Sequence, residues 1–435
     1  DLMACLVSGS LKGKIMDNII QKNAMSASVP WLISAIILII LPFIFTGGGS
    51  ITIMNQIGIT IVLAMSYNML LGQGGMLSFG HAVYMGIGGF VAVHVMNIVE
   101  NESLWLPLPL LPLVGGLVGL GFATIIGSFS TRKAGTVFAM ISLGIGELIA
   151  ACCIIITVFF GGEEGISGDR TMAPPTFGIE FITQKEVYFL IAFWVLISVF
   201  CMYLFTQTPV GKMANAVRDN PERAEFVGYS MRWVRFVSFC AAGFFAGIAG
   251  ALFAINYEIL TEQNLNLNMS FQVLLAAYIG GVGFFLGPIV GAILFTLLQT
   301  VIGLQTDLWA LYTGIVFILI VMFMPAGLTG LFAMHLIPLQ LGRLGMLVRP
   351  YTKIFIPGLV FLIGTIALIE LINHARHHGE EQFMTLFWIE FDTTSIVPWA
   401  LFALMTVLGF YIARIFAKEV AEAWGEATFV EGERR

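Results

Sequence analysis

The chain has 435 residues, of which 58% are hydrophobic and only 11% are charged, and its formal net charge is −6. Soluble proteins carry about 25% charged residues, so this composition excludes an ordinary soluble enzyme and predicts a protein of the lipid bilayer. The acidic balance also excludes a nucleic-acid partner, because no basic stripe is present to neutralise phosphates.

Apolar stretches along the chain predict its membrane spans. A spanning helix needs about 20 apolar residues, because each adds roughly 1.5 Å across a hydrocarbon core of roughly 30 Å. Backbone polar groups in lipid must be hydrogen-bonded within their own segment, so the sequence predicts an all-α polytopic membrane protein with about twelve transmembrane helices. Three of the stretches, near residues 31–46, 269–283 and 309–325, are short. The stretches lie near residues 31–46, 51–71, 77–97, 105–129, 134–160, 187–206, 236–257, 269–283, 286–302, 309–325, 353–373 and 396–416.

The positively charged residues predict the orientation. When the stretches are threaded from a cytoplasmic N terminus, seventeen Lys and Arg fall in inside loops and three in outside loops. Cytoplasmic loops carry the excess of these residues, so the asymmetry predicts an even number of spans and two cytoplasmic termini. The outside residues are Arg170, Lys185 and Arg376. The inside residues are Lys12, Lys14, Lys22, Arg132, Lys133, Lys212, Arg218, Arg223, Arg232, Arg235, Arg343, Arg349, Lys353, Arg414, Lys418, Arg434 and Arg435.

The same pattern predicts four segments. They are a cytoplasmic N-terminal segment (1–30), a membrane core (31–330), an interfacial segment (331–352) and a C-terminal extension with two further spans (353–435). Residues 326–350 are apolar and include Arg343 and Arg349, which is typical of a short helix along the membrane surface. A plain linker to the last two spans is the alternative.

Small residues recur at four-residue spacing within the spans. Such spacing forms a flat stripe on one helix face, which lets helix backbones approach closely in a bilayer. The predicted packing glycines are Gly243 and Gly247 on one helix, and Gly283, Gly287 and Gly291 on another. The run from Gly280 to Pro288 is dense in glycine, and it predicts a tight cytoplasmic turn between two short helices.

Residues 71–81 read LGQGGMLSFGH and join the second and third spans. Irregular backbone at membrane depth survives only when it is buried in protein or lines a watery cavity. Gly75, Ser78 and His81 are therefore candidate translocation-pathway residues, and an ordinary cytoplasmic turn is the alternative. No second metal ligand lies at a suitable spacing from His81, which favours a packing histidine over a metal site.

Glu147 is the one carboxylate near the middle of a predicted span. A charged acid at that depth costs about 2.5–3.5 kcal/mol on insertion scales, so it needs a partner, a cavity or a proton. We expect it to serve the translocation pathway or its gating. The alternative is a structural hydrogen bond to a neighbouring helix, such as the one that carries Asn55, Gln56 and Asn68.

No metal site and no catalytic motif are predicted. His374, His377 and His378 lie beside Glu380 and Glu381 in the last outside loop, where solvated polar surface is the favoured interpretation. The sequence has no P-loop, no GxSxG and no HExxH. We therefore expect no catalytic residue, no metal and no cofactor on this chain, and we expect energy from ATP to come through a partner.

Three segments in order resemble one family. They read NMLLGQGGMLSFGH at 68–81, FAMISLGIGE at 138–147 followed by GGEEG at 161–165, and GKMANAVRDNPERAEFVG at 211–228. The likeness resumes at 246–252 and 280–292 and covers about residues 31–330. Together these segments resemble the LivM-type membrane permease of the ABC importers for branched-chain amino acids, which implies an ABC importer permease fold.

The resemblance implies that residues 214–228 are a coupling helix that docks in a groove of an ATPase subunit. The residue types agree independently, since Pro221 suits a first helical turn, Asp219 or Asn220 suits its cap, and Gly228 suits a helix end. The predicted coupling residues are Ala214, Arg218, Asp219, Asn220, Pro221, Glu222, Ala224 and Gly228.

The resemblance also implies a complex in the bacterial inner membrane. The implied partners are a second, LivH-type permease, two ABC ATPases that bind ATP and Mg²⁺, and a periplasmic substrate-binding protein. The implied solutes are leucine, isoleucine and valine, although similar proteins are associated with urea, short amides and aromatic acids.

Two features depart from the family pattern. Gln272 stands where the family usually has an acid, and residues 335–435 add two spans with no counterpart in the core. Two other functional classes compete with a transporter. One is a membrane enzyme using Ser78, His81 or Glu147, and the other is an assembly scaffold without a pore.

Overall fold

The computed structural model of the protein describes residues 29–100, 105–172, 174–175, 178–377, 383–386 and 389–428. Nearly all of the predicted N-terminal segment lies outside these residues, as do His378, Glu380, Glu381 and the side chain of His377. The described chain is mainly helical, with two short antiparallel strand pairs, Ile166–Ser167 with Ile259–Leu260 and Phe383–Leu386 with Ile389–Asp392.

The helices and strands follow the apolar stretches in chain order. The helices are α1 (Val29–Ile44), α2 (Gly48–Asn68), α3 (Ala82–Glu100), α4 (Leu111–Ser130), α5 (Thr136–Ile155), α6 (Thr157–Phe160), α7 (Gln184–Gln207), α8 (Pro209–Asp219), α9 (Pro221–Phe226), α10 (Met231–Tyr257), α11 (Leu267–Gly280), α12 (Gly287–Leu297), α13 (Trp309–Phe323), α14 (Gly327–Gln340), α15 (Gly345–His377) and α16 (Ile396–Thr428). The strands are β1 (Ile166–Ser167), β2 (Ile259–Leu260), β3 (Phe383–Leu386) and β4 (Ile389–Asp392). Short π-helical turns extend α2 through Met69–Gln73 and α12 through Leu298–Ile302.

The described residues contain eight helices that are long and apolar enough to cross a membrane. The pair α13 and α14, bent by 43°, makes a ninth if it is one span. Every predicted stretch contains a helix, so the all-α membrane fold is confirmed. The number twelve is only approximate, because α1, α11 and α12 are shorter than a full span. Apolar composition predicts where a helix lies, whereas glycine and proline decide where it ends.

The described residues up to Gly330 form one compact unit, and α10 lies in its core. Gly243 and Gly247 of α10 lie against Gly119 of α4, so close that a Cβ on Gly247 would meet the α4 backbone. A Cβ on Gly88 of α3 would likewise lie 2.7 Å from the Gly247 Cα. Such backbone contacts give dispersion energy in a bilayer, where lipid removes the hydrophobic drive between helices.

Glycines also join α11 to α12, but Gly283 is not among them. Gly280, Gly287 and Gly291 lie in backbone contact across the two helices. Gly283 is exposed in the turn between them, and a Cβ there meets nothing within 4 Å. The packing prediction for Gly283 is wrong, because α11 ends at Gly280 and four-residue spacing aligns residues only within a continuous helix.

The start of α2 is tied to its neighbours by polar side chains. Asn55 donates from Nδ2 to Asn256 Oδ1 of α10 at 2.8 Å and to Gln184 Oε1 of α7 at 3.2 Å. Close by, the buried Arg170 donates to the carbonyls of Phe181, Ile255 and Asn256. The guanidinium lies 3.7 Å from the Glu258 carboxylate. We call this the Arg170 end of the unit.

Residues 331–435 form a second compact unit. Ala367, Leu371 and Phe402 are buried between α15 and α16. Lys353 of α15 pairs with Glu419 of α16 at 2.5 Å. The part predicted as interfacial, 331–352, contains the end of α14 and the first residues of α15, so α15 begins earlier than the predicted span at 353.

Candidate translocation and coupling site

The segment 68–81 leaves the membrane helix α2 and enters α3 through irregular backbone. Its residues 74–81 are largely buried in protein, as such backbone requires at membrane depth. The Phe79 N–H donates to Ser142 Oγ of α5 at 3.0 Å, and the Ala82 N–H donates to Ser270 Oγ of α11 at 3.1 Å. The segment is therefore held between α5 and α11.

Ser78 and His81 are buried inside this packing. His81 Nε2 lies 2.8 Å from Ser66 Oγ, and the Tyr67 hydroxyl donates to the Ser78 carbonyl at 3.1 Å. The rings of Tyr67 and Tyr84 pack edge-on against His81. Across the part of the chain that the structure describes, no three His, Cys, Asp or Glu side chains form a metal-binding group. The described contacts of the His81 side chain are the hydrogen bond with Ser66 and the two tyrosine rings.

Arg218 of α8 joins the predicted coupling residues to the 68–81 segment. Its Nη1 donates to the Gly72 carbonyl, and its Nε donates to Asp219 Oδ1 at 2.8 Å. Gly75 has φ of +63°, and a Cβ there would lie 2.7 Å from the Arg218 Cγ. Glycine at 75 thus permits both the left-handed backbone and the close approach of the arginine stem.

The turn 281–286 also contacts the 68–81 segment, at Asn68 and Gly72. The Asn68 Nδ2 donates to the Phe284 carbonyl at 3.4 Å. Gly72 faces the Val282 carbonyl so closely that a Cβ would overlap it. Three sequence motifs that are far apart in the chain therefore meet around Gly72, which we call the Gly72 junction. It lies at the end of α2 opposite to Asn55 and hence opposite to the Arg170 end.

The predicted coupling helix is a pair of helices. Thr208 caps α8 through Gly211 N–H, with Pro209 in the first turn. Asn220, not Asp219, caps α9 by accepting from the Arg223 N–H at 3.0 Å, and Pro221 follows in the first turn. Gly228 lies beyond α9 with φ of +89°. We call residues 208–228 the α8–α9 loop.

The α8–α9 loop has a buried base and an exposed apolar tip. Ala214 and Ala224 are buried against Val217 and Val234, so these two predicted coupling residues hold the loop together and are not free to meet a partner. Beyond them Phe226 is 91% exposed and Val227 is 68% exposed. Glu222 and Arg223 are exposed beside the tip.

Glu147 lies on the exposed face of α5. Other exposed residues of that face are Val137, Met140, Leu148 and Ile155. Glu147 makes no hydrogen bond or ion pair with any residue that the structure describes. The polar residues of α2 bond elsewhere: Asn55 bonds to Asn256 and Gln184, and Asn68 bonds to the Phe284 carbonyl.

Two acidic cavities open near the Arg170 end. The smaller, of about 340 Å³, is lined by Ile154, Glu163, Thr261, Glu262 and Gln263. Ile154 lies two turns along α5 from Glu147, on the same exposed face. The larger, of about 770 Å³, is lined by Asn97, Glu100, Ser167, Gly168, Asp169, Thr171 and Glu258. Hydrogen bonds from the Thr171 hydroxyl and backbone lower the pKa of the Asp169 carboxyl, which keeps this cavity negative.

The predicted pathway residues are therefore separated. Gly75 is exposed beside Arg218, Ser78 and His81 are buried, and Glu147 faces outward from α5. Ser66, and not Ser78, contacts His81. Glu147 therefore does not share a site with Ser78 and His81, the other two residues of the competing enzyme hypothesis.

Comparison with known proteins decides the family. Residues 49–325 match the family described as branched-chain amino acid transport system / permease component. The chain belongs to this permease family. The permease is 25% identical over 303 residues to the high-affinity branched-chain amino acid transport system permease protein LivM of Escherichia coli, covering 64% of this chain and 70% of LivM.

Further relatives include a second LivM and a sugar permease. The permease is 22% identical to the probable branched-chain amino acid transport permease protein LivM of Methanocaldococcus jannaschii, covering 62% of this chain and 90% of that protein. It is 24% identical to the fructose import permease protein FruF of Bifidobacterium longum, covering 71% of this chain and 91% of FruF. No solved structure matches the chain.

These matches confirm the LivM-type resemblance. The protein is a multi-pass membrane permease of an ABC transporter, and its named relatives are permease subunits.

Some residues of the site were not singled out by the sequence. Gly72 was one glycine among many, and Ser142 and Ser270 were ordinary small residues in apolar spans. Phe226 and Val227 carried a usable signal, because two apolar residues stand at the end of a charged loop. Arg170 also carried a usable signal, because it is a single arginine in an acidic loop.

Proposed function

We propose that the permease imports leucine, isoleucine and valine across the bacterial inner membrane, driven by two partner ABC ATPases. The names of the LivM relatives support this solute class. The chain binds no cofactor in this proposal, and the ATPases bind ATP and Mg²⁺. Relatives named for fructose, galactose and nucleosides define the solutes against which the proposal is tested.

The exposed face of α5 is the observation on which the transport pathway rests. A carboxylate facing hydrocarbon costs about 2.5–3.5 kcal/mol, so Glu147 is covered by protein or water in the assembled transporter. The exposed residues around Glu147 on this face are apolar, which favours a protein partner over open water. A narrow water-filled path between the partner and α5 then covers the carboxylate. In the proposal that partner is a LivH-type permease, and the solute passes between the two chains beside Glu147.

The tip of the α8–α9 loop is the proposed ATPase contact. Exposed Phe226 and Val227 form an apolar anchor with charged neighbours, as in the centre and rim of a protein interface. The excess of Lys and Arg in the predicted inside loops supports a cytoplasmic location for this tip. The acidic cavities then face the periplasm, where a substrate-binding protein delivers the solute.

Uptake into proteoliposomes tests the function. The vesicles contain this permease, its LivH-type partner and both ATPases, and the binding protein is added outside. Labelled leucine, isoleucine or valine is expected to accumulate against a gradient, with ATP hydrolysis stimulated by the loaded binding protein. Uptake of a sugar, a nucleoside, urea or an aromatic acid instead overturns the solute. Solute flux through the purified chain without ATPases overturns the mechanism.

A substitution at the tip tests the docking. Phe226→Ser is expected to weaken ATPase binding to the permease pair by about 2 kcal/mol, roughly 30-fold in Kd, because the anchor is lost. Ile182→Ser makes a similar change in polarity at an exposed site near the Arg170 end and serves as the control. Unchanged affinity for Phe226→Ser contradicts this docking surface.

A further inference from the structure

Arg218 connects two parts of the permease that are distant in sequence. One part is the α8–α9 loop, whose tip is exposed, and the other is the buried 68–81 segment. Arg218 reaches from the surface to the Gly72 carbonyl while its Nε holds Asp219. A displacement of α8 therefore acts directly on the backbone of the segment.

The 68–81 segment has an irregular backbone and unsatisfied buried polar groups. It begins with the π-helical turn Met69–Gln73, a geometry that is frequent at functional sites. Four of its buried polar atoms have no hydrogen-bond partner among the described residues: Asn68 Oδ1, Gln73 Oε1, Ser78 Oγ and His81 Nδ1. Buried unpaired polar atoms raise the free energy of a conformation, so an arrangement that pairs them is favoured by that amount.

The other end of the segment touches the helix that carries Glu147. The Phe79 N–H donates to Ser142 Oγ of α5. A Cβ on Gly146 would lie 3.3 Å from the Gly80 Cα, so the two backbones are in contact one residue before Glu147. The segment also borders the 281–286 turn through Gly72. Movement of the segment thus reaches both α5 and α11–α12.

We propose that Arg218 is a positioning residue that transmits movement of the α8–α9 loop through the Gly72 carbonyl to the 68–81 segment, and from there to the Glu147 face of α5. The inference rests on the proposed function, because the movement is the one that a docked ATPase imposes. Arginine suits the role because its planar fork donates to Asp219 and to Gly72 at once. Lysine has a single ammonium at the end of a flexible stem.

The reconstituted complex tests the inference by its coupling ratio, which is solute transported per ATP hydrolysed. Arg218→Gln is expected to lower this ratio about tenfold, within the usual range of coupling between sites. Arg218→Lys is expected not to restore it. Lys212→Gln removes an exposed charge from the same helix and is expected to keep the wild-type ratio. If Arg218→Gln fails to assemble, Arg218→Lys is measured with the same expected loss.

A second readout follows the segment itself. In a chain without its native cysteines, Ser78→Cys is labelled with a thiol reagent in the nucleotide-free and ATP-bound complex. The labelling rate is expected to change between the two states with Arg218 present and to stay constant with Arg218→Gln. An unchanged coupling ratio in the Arg218 variants, or a labelling change that survives them, overturns the inference. A wild-type complex that neither hydrolyses ATP nor transports overturns the proposed function instead.

Discussion

Three charged residues of this apolar chain have three different environments. Arg170 is buried and bonds to backbone carbonyls and to Glu258. Arg218 is partly exposed and bonds to Gly72 and Asp219. Glu147 faces outward without a partner in the described chain. A charge in a membrane protein is costly unless it is satisfied, so each environment indicates what the residue does.

Replacing Glu147 separates charge from hydrogen bonding. Glu147→Gln keeps size and polarity and removes the negative charge. We expect the variant to assemble with its partners and to lose about tenfold or more in solute uptake, because the proposed path loses its fixed charge. Uptake by proteoliposomes is the measurement, with Glu164→Gln in an exposed loop as the control. Wild-type uptake by Glu147→Gln would argue against a functional charge.

Replacing Arg170 tests the Arg170 end. Arg170→Gln leaves Glu258 without its cation and leaves several carbonyls without their donor. Losing one partner of a buried charged network costs about 3 kcal/mol or more, so we expect a lower Tm for the purified permease. Arg376→Gln, at an exposed site of α15, is expected to leave the Tm unchanged. Equal Tm values for both variants would contradict the structural role of Arg170.

At the scale of elements, helix ends and helix contacts depend on small residues. Asn220 and Pro221 begin α9, and the unusual φ of Gly281 lets the chain leave α11. Gly247 brings α10 against both α3 and α4. Without a hydrophobic drive between helices in lipid, such close contacts supply much of the association energy.

A larger side chain at Gly247 tests this packing. Gly247→Leu inserts atoms where the backbones of α4 and α3 already lie in contact, which costs about 1–3 kcal/mol or more through forced separation of the helices. We expect reduced Tm and reduced assembly. Gly121→Leu, on α4, is the matched control, because a Cβ there meets nothing within 4 Å. Loss of stability in the control alone would contradict the contact surface assigned to α10.

At the scale of the whole molecule, the first unit has two chemically different ends. The Arg170 end has acidic cavities, and the opposite end has the Gly72 junction and the α8–α9 loop. Residues 331–435 form their own unit, and the family match stops at residue 325.

Labelling from outside sealed cells tests the predicted orientation. Glu164→Cys and Val227→Cys each introduce one exposed thiol, in a chain without its native cysteines. An impermeant thiol reagent is expected to modify position 164 and not position 227, because the inside loops hold the excess of positive charge. In permeabilised cells both positions are expected to react, which controls for accessibility. Reaction at 227 in sealed cells would reverse the orientation.

Much of the helical fold was predictable, because apolar stretches partition into lipid regardless of what lies beside them. The caps of α9 were predictable in part, since Asn220 and Pro221 act on adjacent residues. The packing prediction for Gly283 was wrong because the residue lies in the turn between α11 and α12, and the sequence did not show where α11 ends. The burial of Ala224 could not be predicted, because it depends on Val234 of another helix.

The sequence by itself determined the membrane class, the apolar stretches in which the helices lie, and the family. These properties depend on composition and on neighbours in the chain. Only the tertiary structure decided that Arg218 meets Gly72, that Ser142 holds the 68–81 segment, and that Glu147 faces away from its own chain. Such contacts join residues far apart in sequence, and they form only where the packing of several helices brings the backbones within reach.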